Sequence, residues 1–190
     1  MNDISEADKR KLLGPYQMIG KKAACEKATI CLDFALDALG ADENQSLFGV
    51  NAANAYNSFD REEMQNMVIT DIPKLSNYYY FLHGTQALVD FDYKYKIDFQ
   101  QGGIQGLNST ELFYGAMKWK IQKKVKQRMI SKCPDFKINY QCDYIDDGVQ
   151  MMHYKYLKEY LKFTIEEYNV WKISINIQKT CIVMKTSNVI

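Results

Sequence analysis

The sequence predicts an α+β domain: an antiparallel sheet with helices packed on one face. Three observations carry that prediction. Short apolar or alternating runs at 46–50, 87–99, 138–152, 171–177 and 181–184 read as strands, several of them joined by tight turns. Between them, segments at 21–39, 108–132 and 154–169 place apolar residues three and four apart, the spacing of helices with one buried face. The composition, 47% hydrophobic and 25% charged over 190 residues, suits a single globular domain with a core of its own.

The elements can be justified in order. Residues 1–12 are polar and charged, and Gly14-Pro15 ends any helix before them, so a loose start is expected, with 1–20 an N-terminal extension and loop. Lys21 to Leu39 carries Ala24, Ala28, Cys31, Ala35 and Ala38 on one stripe, widened by Leu32 and Leu39, with Gly40 as its stop. Ser46 to Val50 is a buried strand ending at Asn51. Ser58 can cap a helix to about Ile69, with Asp60, Glu62 and Glu63 at its positive end, and Pro73 closes the connection. Ser76 to Leu82 reads as a short helix stopped at Gly84, and Ala87–Phe91 with Tyr93–Phe99 as a hairpin. Asn108 or Ser109 then caps a long helix to Lys132, apolar at Leu112, Phe113, Ala116, Met117, Ile121 and Val125. A hairpin through residue 147, a helix from Tyr154 to Asn169, an alternating strand from Trp171 to Ile177 and a last strand from Cys181 to Met184 complete the chain.

Charge and cysteine usage narrow the function classes. A net charge of +1 gives no overall drive toward nucleic acid. Any such contact must come from a local patch, and the long helix offers one: Lys118, Lys120, Lys123, Lys124, Lys126 and Arg128 beside Trp119, a run that can track a phosphate backbone or simply face solvent. The five cysteines are dispersed and lack a Cys-x-x-Cys pair, which points away from zinc or a disulfide framework and toward a reducing compartment: intracellular, nuclear or organellar. No apolar run approaches the roughly 20 residues of a membrane span, so no membrane partner is expected. His83, beside Gly84, reads as structural rather than catalytic.

Chemistry concentrates at Tyr144-Ile145-Asp146-Asp147, two acids on a turn between β-prone runs. Paired carboxylates on a rigid turn suit Mg²⁺, which binds through one or two carboxylates plus substrate phosphates. Turns also favour Asp for its hydrogen bonds to backbone, so the pair alone admits both readings.

Four segments in order resemble the palm of reverse transcriptases, particularly those of non-LTR retroelements. Asn51 to Asp60 looks like the first palm motif, and Gln101-Gly102-Gly103-Ile104-Gln105-Gly106 like the Gln-Gly motif. Tyr144 to Asp147 matches the Tyr-x-Asp-Asp box, and Asn176-Ile177-Gln178-Lys179-Thr180 the Asn-x-x-Lys-Thr motif after it. The resemblance covers about Leu13 to Val183 and implies a palm-like sheet over 21–190, with partial fingers and no thumb. It implies Asn51, Asp146, Asp147 and Lys179 as catalytic positions, with Mg²⁺ on Asp146 and Asp147. It further implies nucleotide contacts from Tyr56, Gln105 and Gly106, and RNA or DNA as partner, held in part by Lys120, Lys123, Lys124 and Arg128. A separate polypeptide would then supply the missing subdomains, or the chain would serve a host complex.

The departures from that pattern matter as much. The family's first-motif Asp, which binds both metal ions, is here Asn51. The Gln-Gly loop runs on without the family's prolines. The resemblance therefore implies a polymerase-derived domain that is inactive or retains its magnesium weakly, with a structural or RNA-binding subunit as the alternative.

Overall fold

The computed structural model describes residues 5–84, 87–91, 95–99, 101–103 and 108–185. In chain order the helices are α1 (Glu6–Leu13), α2 (Ala24–Ala41), α3 (Ala55–Ser58), α4 (Arg61–Asp71), α5 (Ser76–His83), α6 (Asn108–Lys132) and α7 (Leu157–Val170). The strands are β1 (Gln45–Gly49), β2 (Ala87–Phe91), β3 (Tyr95–Phe99), β4 (Ile138–Tyr144), β5 (Asp147–His153) and β6 (Cys181–Met184). The main sheet is antiparallel with order β4-β5-β1-β6, while β2 and β3 pair separately.

The register explains how the sheet is buried. Leu47 lies opposite Met151, and Phe48 opposite Gln150. Side chains alternate faces along a strand, so neighbouring apolar pairs such as Leu47-Phe48 and Met151-Met152 serve both faces. Phe48 and Met152 join the large core built on Phe113, Met117, Ile121, Val125 and Met129 of α6 and Tyr160, Phe163 and Tyr168 of α7. Leu47 and Met151 instead meet Ala35 and Leu39 of α2. The α+β class and the antiparallel sheet are as expected, but the helices are not confined to one face. Full burial of each large apolar side chain contributes about 1.5–3 kcal/mol, and the α6 positions recur every four residues, which commits one whole flank of that helix to the core.

Residues 6–13 form a capped helix where a loose start was expected. The Ser5 hydroxyl accepts from the Asp8 N–H at 3.1 Å and caps α1. Gly14, at φ +77°, closes α1 so near α6 that a Cβ there would lie 2.4 Å from the Trp119 ring. The following residues run parallel to β4: the Asp143 N–H donates to Tyr16 O at 3.1 Å, and the Met18 N–H to Asp143 O at 2.8 Å.

Three further expectations are corrected. The cap of α4 is Asp60, which accepts from the Glu62 and Glu63 N–H groups; Ser58 ends α3 and donates to Ala53 O and Asn54 O. Gly40 does not stop α2, which runs through it to Ala41. The segment 171–177 is not a strand. Lys172 adopts a left-handed φ of +57°, the Ile173 N–H turns back to Tyr168 O at 3.2 Å, and the one sheet contact is a bridge between Ala52 and Ile175. Trp171 and Ile173 are buried on either side of exposed Lys172, so the period-2 signal came from a loop plugging the core.

Candidate active site at the two-acid turn

The Tyr144–Asp147 turn joins β4 to β5, and Tyr144 pairs with Asp147 across it. Ile145 has φ +56°. For a β-branched residue this region is a genuine outlier that costs on the order of 1–3 kcal/mol. The surroundings hold it. From the N-terminal segment, the Gln17 carboxamide receives the Ile145 N–H on Oε1 at 2.9 Å and donates from Nε2 to Ile145 O at 3.1 Å. From α6, the Lys118 ammonium donates to Asp146 O at 2.9 Å, Asp147 O at 2.8 Å and, more distantly, Ile145 O at 3.4 Å.

Lys118 also pairs with Asp143 Oδ1 at 2.9 Å, and both side chains are almost fully buried. Asp143 is completed by the Gln122 amide on Oδ1 at 3.0 Å and the Gln141 amide on Oδ2 at 2.8 Å. A buried charge survives only when paired and hydrogen-bonded, and here each partner meets that condition. Gly148 makes room for the pair: a Cβ there would stand 2.2 Å from Asp143 Oδ1 and 2.7 Å from Lys118 Nζ. Sequence reasoning placed Lys118 in a basic run and gave Gln17 and Asp143 no role at the site. Gln17 lies 128 residues from Ile145, and no local pattern announces such a contact.

Around the turn stand the positions singled out from the sequence. The Tyr56 hydroxyl, on α3, donates to Asp146 Oδ1 at 3.4 Å, and its ring packs on Tyr114 with centroids 5.2 Å apart. Burial, reinforced by the Asp146 carboxylate, pushes the Tyr56 phenol well above its ordinary pKa. Asn51 follows β1. The last registered pair of β1 with β5 is Gly49 opposite Val149, two residues before Asn51. Its backbone is fixed by the loop that carries Lys179: the Asn176 N–H donates to Asn51 O at 2.8 Å, and the Asn51 N–H to Thr180 Oγ1 at 3.4 Å. Lys179 itself is exposed, with its N–H on Asn176 Oδ1 at 3.3 Å.

Asp146 is half-buried and Asp147 exposed. They supply two carboxylates, and among the described residues no three acidic, histidine or cysteine groups converge as a metal cluster. This donor set does not fit a two-ion centre, which needs a carboxylate bridging both ions; it offers one hard cation two carboxylates.

The glycine loop and the basic helix have partners of their own. Gln105 and Gly106 lie outside the described residues. Gly102 and Gly103 approach protein backbone: their N–H groups donate to Phe59 O at 2.9 Å and Tyr56 O at 2.6 Å, and Arg61 Nε donates to Gly102 O at 2.7 Å. The loop thereby braces α3 and Tyr56. On α6, Lys120 pairs with Asp71 at 2.8 Å, Lys124 with Glu167 at 3.8 Å, and Arg128 with Glu166 and Glu167. Arg128 also lies over the Phe163 ring at 4.0 Å, and Lys123 over Trp119 at 5.7 Å. Much of the run's charge is thus matched by carboxylates of α4 and α7.

No protein-family model and no curated protein sequence matches the chain. Its fold does match solved structures. Apo telomerase from Candida tropicalis superposes with a TM-score of 0.65 at 12% identity, covering 94% of this chain and 35% of the telomerase chain. The same enzyme truncated from its C-terminal domain gives 0.63 at 14% identity, covering 95% and 39%. Telomerase from Candida albicans, in complex with a fragment of telomeric RNA, gives 0.63 at 10% identity, covering 97% and 32%. The chain spans about a third of the length of these structures. At such identities the likeness is one of fold: this chain is folded like a segment of telomerase, a reverse-transcriptase-related polymerase.

Proposed function

We propose that the chain is a palm module of reverse-transcriptase descent, of the non-LTR retroelement type its motifs resemble, that does not polymerise and that serves a larger assembly. The observation that carries this is Asn51. It follows β1, the strand that pairs with β5 of the two-acid hairpin, at the position that resembles the family's first-motif acid, and it brings no charge. In nucleotidyl transfer, carboxylate-held Mg²⁺ activates the attacking hydroxyl and stabilises the leaving oxygen. Asp146 and Asp147 would hold one such ion weakly, and the second has no bridging ligand. On the resemblance we assign Tyr56, whose hydroxyl donates to Asp146, a nucleotide-side role and Lys179 a product-side role.

RNA or DNA is the partner class we assign, together with a protein partner in the assembly. The RNA-bound state of the Candida albicans telomerase supports nucleic acid as ligand. No helix among the described residues is long and apolar enough to cross a membrane. A nuclear location follows from the telomerase likeness as part of the same proposal.

The test is metal binding and primer extension side by side. The wild-type chain is expected to incorporate no dNTP with Mg²⁺ or Mn²⁺. Asn51→Asp is expected to tighten Mn²⁺ binding by about tenfold or more, since one restored charge contact at a metal site is worth at least ~1.4 kcal/mol. Equal Mn²⁺ affinity in the two proteins would show that position 51 does not face the acids, and robust extension by the wild type would overturn the non-polymerising reading.

A further inference from the structure

We propose that Gln17 is a positioning residue for the acidic turn: its carboxamide latches Ile145 in the left-handed conformation that presents Asp146 to Tyr56. The inference rests on reading Asp146 and Asp147 as the functional acids, and it adds the N-terminal segment to their control.

The geometry is specific to an amide. One face of Gln17 both accepts from and donates to the backbone of a single residue, Ile145, at 2.9 and 3.1 Å. The same Oε1 accepts from the Met18 N–H at 3.0 Å, so the oxygen is identified by the donors that meet it and the amide cannot be turned over without losing those bonds. Gln17 is 4% exposed, which removes water as a competitor for both bonds. Its own backbone is registered on Asp143, two residues before Ile145, through Tyr16 and Met18. The side chain therefore arrives at the turn from a fixed platform.

A left-handed β-branched residue persists only where neighbours over-determine it, whereas glycine takes that conformation unaided. Replacing Gln17 should thus matter while residue 145 is isoleucine and matter much less when it is glycine. Glutamate at 17 would keep the acceptor but set a second oxygen against Ile145 O, so it does not substitute.

The experiment is an unfolding cycle over wild type, Gln17→Met, Ile145→Gly and the double variant, with Mn²⁺ affinity measured on each. Gln17→Met is expected to lower the folding constant by about tenfold, and by no more than about threefold when residue 145 is glycine. Mn²⁺ affinity should fall with Gln17→Met and return in the double variant to that of Ile145→Gly. Equal losses in both backgrounds would overturn the latch, because a side chain that merely packs gives additive effects. An unfolded Gln17→Met rescued by Ile145→Gly supports the latch; one that is not rescued overturns it. If the wild type binds no Mn²⁺, the metal reading of the acids fails, and the unfolding cycle still decides the role of Gln17.

Discussion

Lys118→Met tests whether a buried ammonium holds the site together. Methionine keeps the unbranched length and the contacts along the stem while deleting the charge. The variant removes the 2.9 Å pair with Asp143 and the bonds to Asp146 O and Asp147 O. Removing one partner of a buried pair costs about 3–5 kcal/mol. Asp143 keeps the Gln122 and Gln141 amides, so its charge is not stripped of every donor, and the lower end, ~3 kcal/mol, is expected. Against a domain stability of about 5–15 kcal/mol, that is a large fraction. Urea unfolding followed by fluorescence of Trp119 and Trp171 measures it. The Lys118→Met/Asp143→Asn cycle should show a coupling of about 1–3 kcal/mol, since each single variant leaves the other group mismatched. A loss below ~1 kcal/mol, or additive losses, would refute the buried pair.

Three other outcomes follow from particular contacts. Burial, aided by Arg61, holds the His83 imidazole down at about 4. Below a pH of roughly 6.5 the unfolded chain therefore binds a proton that the folded chain refuses; stability should fall by about 3 kcal/mol between pH 6.5 and 4, a slope that His83→Phe flattens in pH-dependent melts. Gly148→Ala drives a methyl group into Asp143 and Lys118 and should cost about 2–4 kcal/mol by urea unfolding, whereas a loss under ~0.5 kcal/mol would contradict the close approach. Changing Lys120, Lys123, Lys124 and Arg128 to Gln should weaken RNA binding and flatten its salt dependence in filter-binding titrations; a parallel melt separates that loss from the cost of breaking the pairs with Asp71, Glu166 and Glu167.

What was legible in the sequence was local. The α6 boundaries declared themselves through the four-residue repeat of its buried face and the two-acid hairpin through its turn chemistry, whereas β6, exposed along most of its length, was legible only as a short apolar run. Where sequence reasoning erred, the same signals were produced by something else. Trp171 and Ile173 alternate with Lys172 because a left-handed residue flips the loop between two plugs, not because a strand is pleated. The ion pairs of the α6 lysines were not legible, because the acids that meet them sit far away in sequence, on α4 and α7. The glycines at 102 and 103 do bring backbone close, but to α3. At the site, the box itself was legible, whereas the contacts of Gln17 and Lys118 were not: both bond backbone atoms, which carry no complementary signal, and the Asp143 that Lys118 also pairs with lies far off in sequence.

The acids near the turn bear on whether the charge missing at position 51 is made up from elsewhere. Two of them, Asp143 and Asp60, are engaged by bonds of their own. Asp143 is consumed by Lys118 and two glutamine amides and faces the interior, so withdrawing it to bind a cation would strand a buried ammonium. Asp60 caps α4 and is engaged by Lys172; although burial opposes ionisation, those bonds keep its carboxyl below the ordinary range, and freeing it would uncap the helix. Each is therefore held by a structural role. The supports of the turn, Lys118 and Gln17, act on backbone and on Asp143, and none of their bonds requires an acid at position 51. The turn and its supports can therefore hold this shape with a neutral residue at position 51, which fits the non-polymerising role proposed above.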